Sequence, residues 1–526
     1  MVAEIATFAF HGIDARIVTV QVQITGGANA FTIVGLPDKA VSEARERVRA
    51  ALAAVGLGLP AKRVTVSLAP ADLPKMGGHF DLPIALGLMA EMGACPRDAI
   101  DGFAAMGELR LDGSIADVTG VLPGAVAANA EGLGLICPQG NGPEAAWANG
   151  DTEILAPKSL IQIVNHFKGA QLLTRPEPGA LESGAKAPDL RDVRGQHQAR
   201  RALEVAAAGG HNLLMVGPPG SGKSMLAARL PGILPPMSPA ETLDVSMVHS
   251  MAGFVEKGRL TRARPFRTPH HSASMAAMVG GGAFVRPGEA ALAHRGVLFL
   301  DELPEFSAPV LDSLRQPLET GDVMIARANA RIRFPARFQL VAAMNPCRCG
   351  YGAASGRACK RGRACEAAYQ ARISGPLLDR LDLAITLAPV PATDLLTPAN
   401  GEPSAQVARR VEAARAAQRE RSADLGPTAT AETLNAFLTD EALARVATPD
   451  AAGTAILAQA VETFGLSARA YFRILRVART LADLEGATAL KRRHVAEAIA
   501  YRQRSALSEK PASEKTVHEP TVNHAA

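Results

Sequence analysis

The chain has 526 residues, 48% of them hydrophobic and 20% charged, enough for several globular domains with sizeable cores. Aromatic residues make up only 4%, which argues against broad base-stacking platforms. A net charge of +5 is mild for this length: it permits an anionic partner without requiring one.

The chain begins MVAEIATFAF, with Glu4 and no basic run, so no secretory signal is expected there. The most apolar windows, such as Leu82–Met92, are too short to span a bilayer and contain Glu91. A soluble, cytoplasmic protein without a membrane partner is the expectation. Residues 1–168 alternate strand-like runs (Ile17–Ile24, Val64–Leu68, Leu133–Cys137) with helical ones (Lys39–Val55, Leu82–Met92). A linker rich in Pro, Gly and Ala follows at 169–189. A nucleotide domain is expected over 190–391. After a Pro-rich break the pattern is helical over 392–505: Gln406–Asp424, Glu432–Val446, Ala451–Phe464, Ala468–Leu484 and Lys491–Arg502. The polar end, 506–526, is expected to be disordered.

The most informative stretch is Leu213–Leu230. An apolar run of strand length leads into Gly217-Pro218-Pro219-Gly220-Ser221-Gly222-Lys223-Ser224, and Met225–Leu230 reads as the start of a helix. This is the phosphate-binding G-x-x-x-x-G-K-[ST] loop in its required context of strand, loop and helix. The glycines let backbone N–H groups curl around phosphate oxygens. Lys223 can reach the β- and γ-phosphates, and Ser224 can ligate Mg²⁺. Farther on, the apolar run Val297–Leu300 ends in Asp301-Glu302, 77 residues beyond Ser224. Asp301 suits the Mg²⁺ shell, and Glu302 suits the base that orients and deprotonates the attacking water. Gln339–Asn345 is a further apolar strand whose closing amide, Asn345, suits a sensor of the γ-phosphate. Arg380 and Arg469 gain weight from the patterns around them, because arginine's planar fork stabilises charge on a transferring phosphoryl group.

The set GPPGSGKS, RTPHHSAS, GVLFLDELPEF, AAMNPC, RISGPLLDRLDL and LSARAYFRILRVARTLADL resembles the magnesium-chelatase-like AAA+ ATPases, within them the YifB/ComM group, over nearly all of residues 1–505. The resemblance implies an α/β multidomain fold: a Lon-protease-like (S5-like α+β) N-terminal domain over 1–168, an AAA+ P-loop αβα core over 190–391, and a C-terminal helical lid over 392–505. It implies that Arg380 reaches the neighbouring subunit's site, with Arg372 as the lesser candidate. It implies that Arg469 senses nucleotide in its own subunit, and that the subunits form a homo-oligomeric ring, most simply a hexamer. A finger acting in trans needs a head-to-tail interface, and such interfaces close into rings. Lon-type proteolysis needs a serine activated by a lysine. Here His79 stands at the serine position and apolar residues replace the lysine, so a non-catalytic domain is expected, with His79 and Asp81 in structural roles.

Six cysteines in such a chain do not suggest disulfides. Cys347, Cys349, Cys359 and Cys365 fall within 19 residues after Asn345, in a Gly-rich insert (345–375) whose charges are mostly basic. Such a segment lacks a core of its own, and Zn²⁺ bound by four thiolates is the expected staple; free thiols in a loop are the alternative. His270-His271 lacks further ligands at suitable spacing and is assigned to loop structure. The stretch 321–334 reads as a β-hairpin turning at Ala328-Asn329-Ala330, with Arg327, Arg331 and Arg333 near its tip and on its returning strand. In proteins of the resembled class a hairpin here can point into a ring's pore, where arginines would meet DNA phosphates, single-stranded or branched. Arg409, Arg410, Arg415, Arg419 and Arg421 on the helix Gln406–Asp424 extend that path in this reading. The functional expectation is an ATP- and Mg²⁺-dependent motor acting on DNA, a helicase or branch-migration enzyme in recombination or natural transformation. A magnesium-chelatase-type ATPase subunit and a chaperone-like remodeller are the alternatives; against the chelatase, the chain has no D-x-S-x-S motif of its own.

Overall fold

The computed structural model describes residues 2–503 apart from 149, 151, 185–186, 283–284, 328–329, 351–358, 360–361, 392–400 and 426–432. The expected disordered tail, 506–526, lies outside the described residues. Two compact units are present. The first takes the chain up to Pro188 together with Leu234–Leu300 and Pro309–Leu340; the second takes Asp189–Ile233, Asp301–Ala308 and the chain from Val341 on. The span 190–391 therefore contributes to both. Among the described residues no helix is long and apolar enough to cross a membrane.

In the first unit a seven-stranded mixed sheet is built from β1 (Ala3–His11), β2 (Asp14–Thr25), β3 (Ala30–Val34), β4 (Arg63–Ala69), β5 (Phe103–Ala105), β6 (Gly134–Ile136) and β7 (Ile154–Leu155). The order is β3-β4-β2-β1-β5-β6-β7. Side chains of a strand alternate between faces, and both faces here are covered. Ile5 and Ala9 of β1, with Val18, Val20 and Val22 of β2, pack against helices Lys39–Ala54 and Asp81–Glu91. Phe8, with Ala15 and Ile17, joins the core beneath helix Val121–Ala130. Helix Lys39–Ala54 buries Val41, Ala44, Val48, Ala51 and Leu52, one face of a 3.6-residue period, and starts where Asp38 accepts a 2.8 Å bond from the Val41 amide. β1 was not among the expected strands, because residues buried on both faces leave no polar–apolar alternation to read.

His79 and Asp81 have separate structural partners. His79 is buried with Nε2 2.8 Å from the Phe8 carbonyl oxygen, and Asp81 accepts from Arg47 at 2.6 and 2.9 Å and from the Leu109 amide at 3.1 Å. Leu181–Glu182, inside the stretch read as a linker without periodicity, pairs in parallel with Leu260–Thr261. Gly280–Gly281, in the run Gly280-Gly281-Gly282, pairs antiparallel with Arg286–Pro287. The expected hairpin is present as Asp322–Arg327 paired with Ala330–Pro335.

The second unit centres on three parallel strands, with Leu213–Val216 between Gln339–Met344 and Leu383–Thr386. The side chains of Leu213–Val216 and Gln339–Met344 are buried throughout, near-continuous apolar runs of the kind expected in a parallel sheet. Helices Ser404–Asp424, Asp440–Val446, Ala451–Phe464, Ala468–Leu484 and Arg492–Gln503 complete the unit. Two expectations are corrected. The helix expected to open by Met225 spans only Lys223–Ala227 and gives way to a 3₁₀ turn at Leu230–Ile233, since Pro231 has no N–H with which to continue the i→i−4 ladder. The helix expected over Glu432–Val446 begins only at Asp440, capped by Thr439. Upstream, Asn435 is buried and donates to Thr480 Oγ1 at 3.0 Å and Asp483 Oδ2 at 2.8 Å, so its neighbourhood is a turn; residue 432 lies outside the described residues.

Candidate functional site

The strand Leu213–Val216 delivers the loop 217–224 at its C-terminal end, the edge where open parallel sheets present ligand sites. The Gly217 amide is tied to the Met344 carbonyl at 3.1 Å, and a side chain at Gly217 would strike Ser221 Oγ at 2.8 Å. Gly222 closes the loop at φ +91°, a conformation that costs glycine nothing. An unforeseen residue braces this loop: Gln196, at φ +51°, donates from Nε2 to the Ser221 carbonyl at 3.2 Å and the Ala388 carbonyl at 2.7 Å. A lone polar residue before a helix gives no sequence signal of that kind.

Lys223 is 8% exposed, and its ammonium donates to Gly217 O at 2.7 Å, Pro218 O at 3.0 Å and Asn345 Oδ1 at 3.1 Å. Burial lowers its pKa, opposed by the charges of Asp301 and Glu302. Ser224 Oγ lies 2.5 Å from Asp301 Oδ2 and is exposed. This hydroxyl–carboxylate oxygen pair is a donor set suited to a hard cation such as Mg²⁺. Glu302 is exposed with φ +52° and ψ +46°, its amide 2.9 Å from Asp301 Oδ1. A left-handed, non-glycine residue carries strain of roughly 1–3 kcal/mol, and such strain concentrates at functional positions. The structure thus brings together Lys223, Ser224, Asp301 and Asn345 and holds Glu302 beside them on a bent backbone.

Arg380 donates to its own helix turn, Nη1 to Pro376 O at 2.7 Å. The residues around it are clamped: Asn212 Nδ2 bonds the Arg380 carbonyl at 2.9 Å, Arg502 the Leu381 carbonyl at 2.8 Å, and Arg473 Oδ1 of buried Asp382 at 2.7 Å. Arg473, beside Asp382, holds that carboxyl well below the usual carboxylate range against the cost of its burial. Arg372 is paired with Glu305 at 2.9 Å. Arg469 is exposed in the first turn of helix Ala468–Leu484, one turn before Arg473. Arg473, Arg502 and Asp382 were missed from sequence because their partners lie far away in the chain.

This loop and its carboxylates accompany matches along most of the chain. The family model for magnesium chelatase, subunit ChlI, matches residues 189–395; a model for subunit ChlI of Mg-chelatase matches 20–141, and one for its C-terminal part matches 401–502. Competence protein ComM of Haemophilus influenzae is 44% identical over 500 residues, covering 94% of this chain and 96% of that protein. YifB of Escherichia coli is 43% identical, with 94% and 96% covered. The magnesium-chelatase 38 kDa subunit of Rhodobacter capsulatus is 27% identical, with 61% and 89% covered. The chain belongs to the YifB/ComM family of magnesium-chelatase-like AAA+ proteins.

A family of this ATPase type implies ATP and Mg²⁺ as ligands. In this YifB/ComM chain, Cys347, Cys349 and Cys359 have sulfurs within 4.8 Å of one another, Cys347 and Cys349 at 2.8 Å. Cys365, on helix Gly362–Gln370, is outside that group of three. Sulfurs around a tetrahedral Zn²⁺ with bonds of about 2.3 Å stand about 3.8 Å apart, so the 2.8 Å between Cys347 and Cys349 would have to widen for the three to hold one ion. On the hairpin, Val323, Ile332 and Phe334 are buried while Arg331 and Arg333 are exposed. Arg333 pairs with Asp322 at 2.5 Å. The side chain of Arg327 and the turn residues 328–329 lie outside the described residues, as do Arg357, Lys360 and Arg361 of the insert.

Of the basic path expected on helix Ser404–Asp424, Arg409 and Arg419 are exposed, while Arg410, Arg415 and Arg421 are held by partners within the unit. Arg410 pairs with Glu204 at 2.5 Å, Arg415 is buried and donates to the Ala207 carbonyl, Arg419 pairs with Glu412, and Arg421 binds Asp483 at 2.7 and 2.8 Å. These guanidiniums are engaged within the unit.

Proposed function

We propose that this chain is the subunit of a hexameric, ATP-driven ring that moves DNA strands, as a helicase or branch-migration motor in recombination or natural transformation. In this reading 1–168 is a Lon-like domain without a nucleophile, joined by a linker at 169–189 to an AAA+ core at 190–391, and 392–505 is the helical lid. Lys223 holds the β- and γ-phosphates. Ser224 and Asp301 hold Mg²⁺, which when bound neutralises phosphate charge. Glu302 takes the proton of the attacking water, and Asn345 orients it. Arg469 acts in its own subunit and Arg380 in its neighbour's.

The observation that carries the DNA reading is the hairpin, whose apolar face is buried while Arg331 and Arg333 stand exposed. The Arg333–Asp322 pair is exposed, and such pairs exchange readily for phosphate. The relative named as a competence protein supports the same reading. Replacing Arg327, Arg331 and Arg333 together with Ala is expected to remove DNA-stimulated ATPase. It should also flatten the salt dependence of DNA binding by about one unit of slope for each phosphate no longer neutralised. Nucleotide binding and ring assembly should be unchanged. A triple variant with an unaltered salt slope and DNA response contradicts this reading. The likeness to a magnesium-chelatase subunit favours a second reading, which an intact protein that ignores DNA would support.

The three clustered thiols support Zn²⁺ in the insert, with Cys365 as the expected fourth ligand after local rearrangement. Elemental analysis of protein purified without added metal is expected to find about one Zn²⁺ per chain, and Cys347→Ser to lose it. Metal-free protein under reducing conditions would establish free thiols instead.

A further inference from the structure

The turn between β1 and β2 rests against the returning strand of the arginine hairpin. Gly12 has φ +74°, and a Cβ built on it would stand 1.8 Å from the Arg333 carbonyl oxygen and 2.9 Å from its carbonyl carbon. No real Cβ approaches backbone so closely, so either the turn or Ala330–Pro335 must shift to admit one. Ile13 packs into a cluster with Ile332 and Phe334 of that strand, Ile325 of its partner, and Val248 and Leu292 beneath. Asp14 faces Arg333 electrostatically, reinforcing Asp322. Backbone, apolar side chain and charge of three successive residues thus meet the same short strand, and that strand carries Arg331 and Arg333.

We propose that the N-terminal domain is the seat of the arginine hairpin, with Gly12 and Ile13 as positioning residues that set where its guanidiniums stand. The proposal rests on reading the hairpin as the DNA-contacting element. It gives the N-terminal domain a role that needs no catalytic group: the domain serves as the rigid base of the hairpin. Hairpin strands isolated from a core are marginal in water, so a tip that must push on phosphate needs such a base.

The test uses the full chain and compares Gly12→Ala with Gly56→Ala. Gly56 has φ +79° with nothing within 4 Å of its would-be Cβ, so it carries the same conformational penalty without the clash. Two readouts are taken: backbone hydrogen exchange at Ile332 and Phe334, and ATPase stimulation by a thymidine oligonucleotide. Gly12→Ala is expected to speed exchange at both amides and to raise the oligonucleotide concentration for half-stimulation about tenfold, the effect of weakened phosphate binding. Basal ATPase should stay unchanged, and Gly56→Ala should match the unaltered chain in both readouts. Ile13→Ala removes packing without a clash and should show the same pattern, weaker; it also serves if Gly12→Ala fails to fold. Unaltered exchange in Gly12→Ala and Ile13→Ala overturns the seat, and altered exchange with an unaltered half-stimulation overturns the positioning role. If the unaltered chain takes no oligonucleotide, the DNA reading falls, while the exchange measurement still decides whether the domain seats the hairpin.

Discussion

Glu302→Gln is expected to bind ATP as the unaltered chain does and to hydrolyse it about 10²–10⁴-fold more slowly, the usual contribution of a positioned general base. The substitution keeps the side-chain shape and the bond from the backbone N–H of residue 302 to Asp301 Oδ1, and leaves Lys223, Ser224 and Asn345 untouched. What it removes is the only thing the proposed mechanism asks of this side chain, the capacity to accept a proton. Lys223→Ala should show the opposite split. Its ammonium is the cation buried within the loop, so nucleotide binding itself should be lost. Equilibrium binding of a labelled ATP analogue, read beside phosphate release, separates the two. Near-normal turnover in Glu302→Gln would move the base to another residue, and tight nucleotide binding in Lys223→Ala would contradict the phosphate-loop reading.

Arg380→Ala is expected to lower turnover by about 10³–10⁵-fold, as removal of an arginine finger does, without loss of nucleotide binding. The residues on either side are held by Asn212, Arg473 and Arg502, so truncating the side chain leaves its backbone anchored. Because the proposed action is in trans, Arg380→Ala subunits mixed with Lys223→Ala subunits should recover activity, each mixed interface in one orientation pairing an intact loop with an intact finger. No recovery across mixing ratios, with mixed rings confirmed, would transfer the role. Arg372 is the alternative, and its pairing with Glu305 would then have to open in the assembled ring.

What could be read in the sequence was what is local. The loop 217–224, the carboxylates 301–302 and the hairpin 322–335 each lie within a short span whose spacing follows from phosphate geometry or strand pairing. Most of the helix ends between 451 and 503 were legible for the same reason, since caps such as Asp450 and Ser467 stand next to the turns they close. What stayed hidden depends on residues far apart. β1 is buried on both faces and so lacked a period. Arg410 and Arg421 of Ser404–Asp424 read as part of a free basic stripe, because their partners Glu204 and Asp483 come from some two hundred positions upstream and sixty downstream. Gln196 braces the nucleotide loop through two carbonyls that no local pattern would connect to it. The seat of the hairpin on Gly12 joins residues more than three hundred positions apart.

The most direct test is strand movement on a synthetic branched DNA junction, followed by the release of labelled strands with ATP, without ATP, and with Glu302→Gln in place of the unaltered chain. Strand release is expected to require ATP, to be absent with Glu302→Gln, and to be lost when Arg327, Arg331 and Arg333 are replaced by Ala. An active ATPase that releases no strand from single-stranded, duplex or branched substrates would contradict the DNA-motor reading.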